Sequence, residues 1–153
     1  MNRRDALKMS AATLAASLMS GNVFAQTKSL RVLILGGTGF IGPHFVNALR
    51  DAGHKLTLFN RGKRNPGMFP DVETLTGDRH GQVDALKGRD WDVVIDNSGY
   101  LPKDVKLTAD LLKGHTGYYL YISSISAYAD LSIPGTSEDS KLAELKDPDT
   151  EDI

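Results

Sequence analysis

A glycine-rich turn between an apolar run and an amphipathic segment is the feature that most constrains the fold of this chain. The run Arg-Val-Leu-Ile-Leu, residues 31–35, is short and ends at a glycine, as a buried parallel strand does. Apolar residues then recur at helical spacing over residues 40–52, with Gly53 at the end. A strand, a glycine turn and a helix in this order predict the first unit of a parallel sheet covered by helices.

The turn reads Gly-Gly-Thr-Gly-Phe-Ile-Gly and contains both the G-x-G-x-x-G and the G-x-x-G-x-x-G spacings. Glycine permits a tight turn, lets a pyrophosphate approach the backbone and lets the helix pack close to the strand. The start of the helix directs N–H groups and partial positive charge at the phosphates. This context predicts dinucleotide binding, and the alternative is a turn that serves packing alone. The residues predicted to hold the pyrophosphate are Gly36, Gly37, Thr38, Gly39, Phe40, Ile41 and Gly42.

The rest of the central segment continues to alternate strand and helix. Apolar patterning predicts further strands at 55–59, 72–76, 92–96 and 118–123, and a second helix at 104–113. We therefore expect an α/β fold: a Rossmann-type doubly wound parallel sheet of about five strands, with right-handed crossovers. The apolar periodicity fades beyond Asp130, and the stretch 134–152 is predicted to be a loop.

The residues after the second strand bear on the choice of cofactor. Asn60 lies 18 residues after Gly42, close to where sites that prefer NAD have Asp or Glu. Here Asn60 is followed by Arg61 and Lys63, whose cations suit a 2′-phosphate, so NADP is slightly favoured over NAD. The alternative is a solvated basic loop.

Composition excludes several other classes of protein. The chain has 153 residues, 18 basic and 19 acidic, and lacks cysteine. It therefore has no disulfide framework, thiolate metal site or cysteine nucleophile. The formal charge of −1 gives no support for nucleic-acid binding. The four histidines lack metal-like spacing and no Gly-x-Ser-x-Gly elbow is present, so neither a metal site nor a serine hydrolase is expected.

Three segments differ in charge and in predicted role. Residues 1–25 carry Arg3, Arg4 and Lys8 before a short apolar run and Val-Phe-Ala, which resembles a twin-arginine signal peptide. This predicts export by the twin-arginine machinery to the periplasm; the alternative is an amphipathic helix that stays attached. Residues 26–130 are predicted to form the NAD(P)-binding domain. Residues 131–153 are predicted to be an acidic tail at an apparent truncation.

Four motifs in sequence order strengthen the interpretation of the fold. They are the glycine turn, Gly77-Asp78 after the third strand, Asp96-Asn-Ser-Gly99 after the fourth, and Ser123-Ser124-x-x-x-Tyr128 after the fifth. Together they resemble an extended short-chain dehydrogenase/reductase, and more narrowly the NAD-dependent epimerase/dehydratase family. Residues 58–63, Leu-Phe-Asn-Arg-Gly-Lys, are similar to the branch that includes chloroplast stem-loop-binding proteins.

The resemblance implies roles for matching residues. Asp78 and Arg79 are expected beside the adenine, although Asp78 is also a typical helix cap. Ser124 is expected to be the catalytic serine that hydrogen-bonds a substrate oxygen; the alternative is an ordinary hydroxyl at a strand end. The other residues expected to bind the cofactor are Asn97, Ser98, Gly99 and Ser123.

The resemblance also exposes a missing element. Family members use a Tyr-x-x-x-Lys pair for acid–base chemistry, and no tyrosine of this sequence has lysine four positions later. We therefore expect a truncated cofactor domain of an oxidoreductase that acts on a sugar-type substrate, without efficient turnover. The alternative is a non-catalytic nucleotide- or RNA-binding protein. Because the sixth strand is missing, the fifth is expected to be an exposed apolar edge that favours self-association.

Overall fold

The computed structural model describes residues 28–132 and 134–147, and the predicted signal peptide and last residues lie outside them. Five parallel strands form one sheet in the order β3-β2-β1-β4-β5. This order confirms the predicted Rossmann-type α/β fold. The strands and helices are β1 Arg31–Leu35, α1 Gly42–Asp51, β2 Lys55–Asn60, β3 Glu73–Thr76, β4 Trp91–Asp96, α2 Pro102–Leu112 and β5 Thr116–Tyr121.

Strand β1 lies at the centre of the sheet and is buried on both faces. Its apolar residues from Val32 onward are at most 1% exposed, as its unbroken apolar sequence predicts. Val32 and Ile34 pack in one cluster with Val46 of α1. Leu35 packs in the other cluster with Leu112 of α2. Side chains alternate across the strand, so one short run supplies the core to both helical layers.

Helix α1 begins two residues later than the periodicity predicts. Phe40 and Ile41 precede it, and Phe40 is 92% exposed rather than part of the buried stripe. Pro43 occupies the first turn, where its missing N–H costs no hydrogen bond. The glycine turn therefore keeps Phe40 and Ile41 out of the helix and beside the space that the turn encloses.

Strand β5 is also displaced from its predicted position. It ends at Tyr121 instead of residue 123, so Ser123 follows the strand. Among the described residues β5 pairs only with β4, as expected for an edge. Tyr118 is 62% exposed, and Leu120 and Tyr121 are also exposed. The helix α2 likewise begins earlier than predicted, at Pro102 rather than residue 104.

The sequence predicts that the acidic segment is a loop, but part of it forms paired backbone. A bridge joins Tyr128 to Leu142 in antiparallel fashion. Ala129 N–H donates to Lys141 O at 2.9 Å, and Ala143 N–H donates to Ala127 O at 2.8 Å. These backbone bonds hold the segment against the residues that follow β5. The hydropathy of the sequence gives no sign of this pairing. Within the described ranges no helix has the length and apolar character needed to cross a membrane.

Candidate dinucleotide-binding site

A cavity of about 490 Å³ lies where β1, β2 and β4 end. Ligands of doubly wound sheets bind at this position, outside the carboxyl ends of the strands where the strand order reverses. The cavity is lined by the glycine turn, by residues 60–64 of the basic loop (residues 60–65) and by the residues that follow β3 and β4. Its volume lies within the range of small-molecule and cofactor sites.

The glycines of the turn meet three different steric demands. Gly36 and Gly37 have φ of 110° and 101°, which side chains rarely adopt. A Cβ at Gly42 would lie 2.5 Å from the carbonyl carbon of Gly37, so only glycine lets α1 approach the turn. A Cβ at Gly39 would have Arg64 Nη1, 3.7 Å away, as its nearest contact among the described residues. Backbone conformation thus accounts for Gly36 and Gly37, and packing accounts for Gly42. Gly39, by contrast, leaves open space for a ligand.

The start of α1 has no cap from a side chain. Its N-cap residue is Ile41, which makes no side-chain hydrogen bond, and the first turn contains no acidic residue. His44 N–H bonds to Ile41 O at 3.1 Å. The positive end of the helix is therefore not neutralised by a described carboxylate of that turn, which favours an anion there.

The basic loop is ordered by two asparagines. Asn60 Oδ1 accepts the N–H of Gly62 at 2.8 Å, so this side chain shapes the loop. Asn65 has φ of 46° and donates through Nδ2 to Thr38 O at 3.1 Å. Asn60 lines the cavity as expected, but its amide oxygen already serves the loop.

The cations of the basic loop lack the partners that the other arginines have. Arg31, Arg50 and Arg89 form ion pairs with Asp92, Asp71 and Glu73. No carboxylate of the described part of the chain pairs with Arg61, Lys63 or Arg64. All three line the cavity, which therefore carries unneutralised positive charge. Exposed cations gathered around a cavity favour an anionic ligand.

Arg79 is different, because it is bound to a buried carboxylate. Its Nη1 and Nη2 donate to Oδ1 and Oδ2 of Asp96 at 2.7 and 2.8 Å. The side chain of Asp96 is fully buried and that of Arg79 is 11% exposed. Nη1 also donates to Ser98 Oγ and Nη2 to Thr108 Oγ1. Arg79 thus joins the turn after β3 to β4 and α2.

Tyr119 of β5 completes this network. Its hydroxyl donates to Asp96 Oδ2 at 2.8 Å and lies 3.2 Å from Thr108 Oγ1. Burial, together with the neighbouring carboxylate of Asp96, raises the pKa of Tyr119 to about 12. Burial disfavours the charge of Arg79, but its hydrogen bonds with Asp96 prevail and raise the pKa of the guanidinium above its usual value. The neutral phenol of Tyr119 therefore donates to the same carboxylate that accepts hydrogen bonds from Arg79.

The turn after β3 brings a further pair to the cavity. His80 Nδ1 lies 2.9 Å from Asp104 Oδ2, and Asp104 is buried. Asp78 does not cap a helix: its Oδ1 accepts His80 N–H, and its backbone pairs with Gln82. The described residues contain no cluster of three or more histidine, aspartate or glutamate side chains suited to a metal.

Most of the residues expected to bind the cofactor line this cavity; Gly99 and Ser123 do not. A Cβ at Gly99 would lie 2.5 Å from Val105 Cγ2, and Tyr121 donates to Gly99 O, so packing accounts for this glycine. The expected catalytic Ser124 is exposed and lies outside the lining residues. It caps the short 3-10 turn Ile125–Ala127, where its Oγ accepts Ser126 N–H.

Sequence reasoning missed several residues of the site. His80, Asp104 and Tyr100 line the cavity, although no motif marks them. Tyr119 lies within the predicted fifth strand, and nothing in the sequence indicates its hydrogen bond to Asp96. Arg64 directly follows Lys63, but the sequence does not show which cation of the basic loop reaches the glycine turn.

The sheet order, glycine turn and cavity define a Rossmann-type α/β domain. The enzyme WbmG of Bordetella bronchiseptica, solved with NAD, superposes with a TM-score of 0.64 at 15% identity, over 80% of this chain and 46% of that chain. The dTDP-glucose 4,6-dehydratase of Bacillus anthracis, also solved with NAD, gives 0.61 at 20% identity, over 75% and 44%. These likenesses show the fold.

Sequence comparison adds a family resemblance. The model of the NAD dependent epimerase/dehydratase family matches residues 32–100 of this chain. The chain is also 33% identical over 126 residues to the chloroplast stem-loop binding protein of 41 kDa b of Arabidopsis thaliana. That match spans 71% of this chain and 33% of the plant protein, so the chain spans about a third of this relative.

Proposed function

We propose that this chain is the NAD(P)-binding domain of an epimerase/dehydratase-type oxidoreductase. One observation carries the proposal: open space above Gly39, an uncapped helix start and three cations that pair with no described carboxylate meet in one cavity. A pyrophosphate is an anion that approaches backbone N–H groups closely, so it fits all three features. A packing-only turn explains Gly42 but not the open space above Gly39.

The geometry suggests where the pyrophosphate would bind, and the family resemblance suggests which residues would contact the rest of the dinucleotide. The glycine turn and the start of α1 would hold the pyrophosphate. Asp78 would lie beside the adenine, and Asn97 and Ser98 beside the ribose. Arg79 would act through its hydrogen bonds to Asp96 and Ser98, which would hold the ribose side of the cavity in place. When bound, the nicotinamide supplies hydride exchange with an alcohol carbon, which we propose belongs to a sugar-type substrate.

Turnover by this chain is proposed to be inefficient. A general acid–base pair must hold and release a proton near neutral pH, and the sequence has no Tyr-x-x-x-Lys pair. The pKa of Tyr119, raised to about 12, suits a structural hydrogen bond rather than proton exchange. Ser124 is proposed to orient a substrate oxygen in a longer relative, in addition to capping its own turn.

Arg61 and Lys63 are proposed to favour NADP over NAD. Neither has a carboxylate partner within the described ranges, and Asn60 carries no charge that would repel a 2′-phosphate. A guanidinium can bind such a phosphate with two hydrogen bonds. We expect the full chain to bind NADPH more tightly than NADH.

The test of dinucleotide binding is a titration of the full chain with NADPH and NADH, followed by Gly39→Ala and Gly42→Ala. Alanine at Gly39 meets no close protein atom, so the variant should fold normally but lose most of its dinucleotide affinity. Alanine at Gly42 overlaps backbone, so it should lower the melting temperature as well. Normal dinucleotide affinity in Gly39→Ala would contradict the proposal.

A second candidate is a non-catalytic RNA-binding protein, favoured by the similarity to a stem-loop binding protein. The chain has no net positive charge to support it, and the unpaired cations lie in one cavity. Titration with a short RNA hairpin separates the two. Tight hairpin binding without dinucleotide binding would favour the second candidate.

Export to the periplasm by the twin-arginine route is also part of the proposal. It rests on the pattern of Arg3, Arg4 and the apolar run that follows. A reporter fused to residues 1–30 should leave the cytoplasm, and Arg3→Lys with Arg4→Lys should retain it there. Because this route carries folded proteins, we propose that the cofactor is bound before export.

Self-association is proposed to occur through the β5 edge. Exposed Tyr118 and Leu120 lie on a strand that has no charge to discourage pairing with another chain. Size-exclusion chromatography should show dimers or larger oligomers, and Tyr118→Lys should reduce their proportion. A monomer with an unchanged profile in the variant would reject this part.

A further inference from the structure

Arg64 differs from the other cations of the cavity by its position over the glycine turn. A methyl group added at Gly39 would have Arg64 Nη1 as its nearest neighbour, 3.7 Å away. The guanidinium therefore borders the same open space that the backbone of Gly39 faces. Within residues 28–132 and 134–147 no carboxylate neutralises it. An arginine beside a bare glycine backbone and an uncapped helix start provides a third source of positive potential for one anion.

A hydrogen bond from the next residue fixes the loop in this place. Asn65 Nδ2 donates to Thr38 O at 3.1 Å, which ties the basic loop to the glycine turn. Asn65 is also the one non-glycine residue in the described part of the chain with positive φ, at 46°. Asparagine tolerates this conformation better than most side chains. The bond and the backbone conformation together direct residue 64 towards Gly39.

We propose that Arg64 binds the pyrophosphate of the dinucleotide, and that Asn65 is the positioning residue that places it there. This inference rests on the dinucleotide function proposed above. It divides the basic loop between two tasks. Arg64 sets how tightly any dinucleotide binds, since every dinucleotide has the pyrophosphate. Arg61 and Lys63 set which dinucleotide is preferred, since only NADP has the 2′-phosphate.

The two tasks are separated by measuring the dissociation constants of NADPH and NADH for the full chain and for Arg64→Gln. Loss of a charge-assisted bond to phosphate should weaken both by a similar factor of about tenfold or more, leaving their ratio unchanged. Arg50→Gln is the matched control, because Arg50 pairs with Asp71 and does not line the cavity. Its affinities should equal those of the unchanged chain.

Asn65→Gly tests the positioning role, because glycine permits the left-handed backbone and removes the side chain whose amide donates to Thr38 O. It should weaken both dinucleotides less than Arg64→Gln does. In the double variant Asn65→Gly with Arg64→Gln it should add little, since the two residues act through one contact. Additive losses would show that Asn65 acts independently of Arg64.

The outcomes distinguish this inference from the function on which it rests. If the unchanged chain binds neither dinucleotide, both fail. If it binds them and Arg64→Gln binds equally well, only the role of Arg64 fails. A loss confined to NADPH would place Arg64 at the 2′-phosphate and also overturn the inference. Thermal melts of each variant show whether a loss of binding reflects a loss of fold.

Discussion

Two arginines that line the same cavity differ in what neutralises them. Arg79 is held by both carboxylate oxygens of buried Asp96, and its charge is satisfied within the protein. Arg64 is exposed and lies over Gly39 without a carboxylate partner in the described residues. The difference shows that a cation in a cavity is not by itself a ligand-binding group. A paired, buried guanidinium shapes the wall, whereas an unpaired one is available to an anion.

The largest expected effect comes from breaking the internal pair. Asp96→Asn removes the carboxylate that binds the buried guanidinium of Arg79 and leaves only the electrostatic influence of Asp104, which should lower the free energy of unfolding by about 3–5 kcal/mol. Denaturant unfolding of the full chain measures this loss. Asp110→Asn, in an exposed pair with Lys106 on α2, should cost about 0.5 kcal/mol or less. Similar small losses in both variants would remove the distinction between the two arginines.

A smaller effect is expected from Arg61 and Lys63, which pair with no carboxylate of the described residues. Arg61→Glu with Lys63→Glu should weaken NADPH by about tenfold more than NADH, because it replaces attraction for the 2′-phosphate with repulsion. Stability should change little, since neither side chain has a described partner. The control is Lys106→Glu with Lys113→Glu, which changes the net charge by the same amount at two positions that do not line the cavity. An equal loss for NADPH and NADH would mean that these cations do not reach the 2′ position.

The smallest effect concerns the phenol that supports the buried pair. Tyr119→Phe removes one hydrogen bond to Asp96, which should lower the free energy of unfolding by about 1 kcal/mol at neutral pH. The folded-state pKa of Tyr119 is raised from 10.0 to about 12. Its contribution is therefore complete below pH 10 and is lost as the pH rises through about 12.

The alkaline titration can be followed by phenolate absorbance. The difference between the unchanged chain and Tyr119→Phe should show one phenol with a midpoint near pH 12. Tyr118→Phe serves as the control, since Tyr118 is 62% exposed on the same strand. A midpoint near 10 for Tyr119 would indicate that it is not held within the Arg79 and Asp96 network.

Much of the fold was predictable because it depends on local patterns. The unbroken apolar run of β1 can only be buried on both faces, and the alternation of strands and helices requires a parallel sheet. Boundaries were less predictable. Phe40 fits the helical stripe in sequence, yet the glycine turn excludes it from α1. The backbone pairing of residues 127–129 with 141–143 depends on chain return, which hydropathy does not reveal.

The sheet, the glycine turn and a loop rich in cations could be predicted from local patterns, because glycine conformation and apolar spacing act over a few residues. The packed fold was needed to show which arginine is bound to a buried carboxylate and which has no carboxylate partner among the described residues. Asp96 lies 17 residues after Arg79, and the two meet because β4 ends beside the turn that follows β3. Arg64 reaches Gly39 because Asn65 bonds to Thr38, 27 residues earlier in the chain. Charge pairing over such separations depends on the packed fold, and a linear pattern of charges contains no record of it.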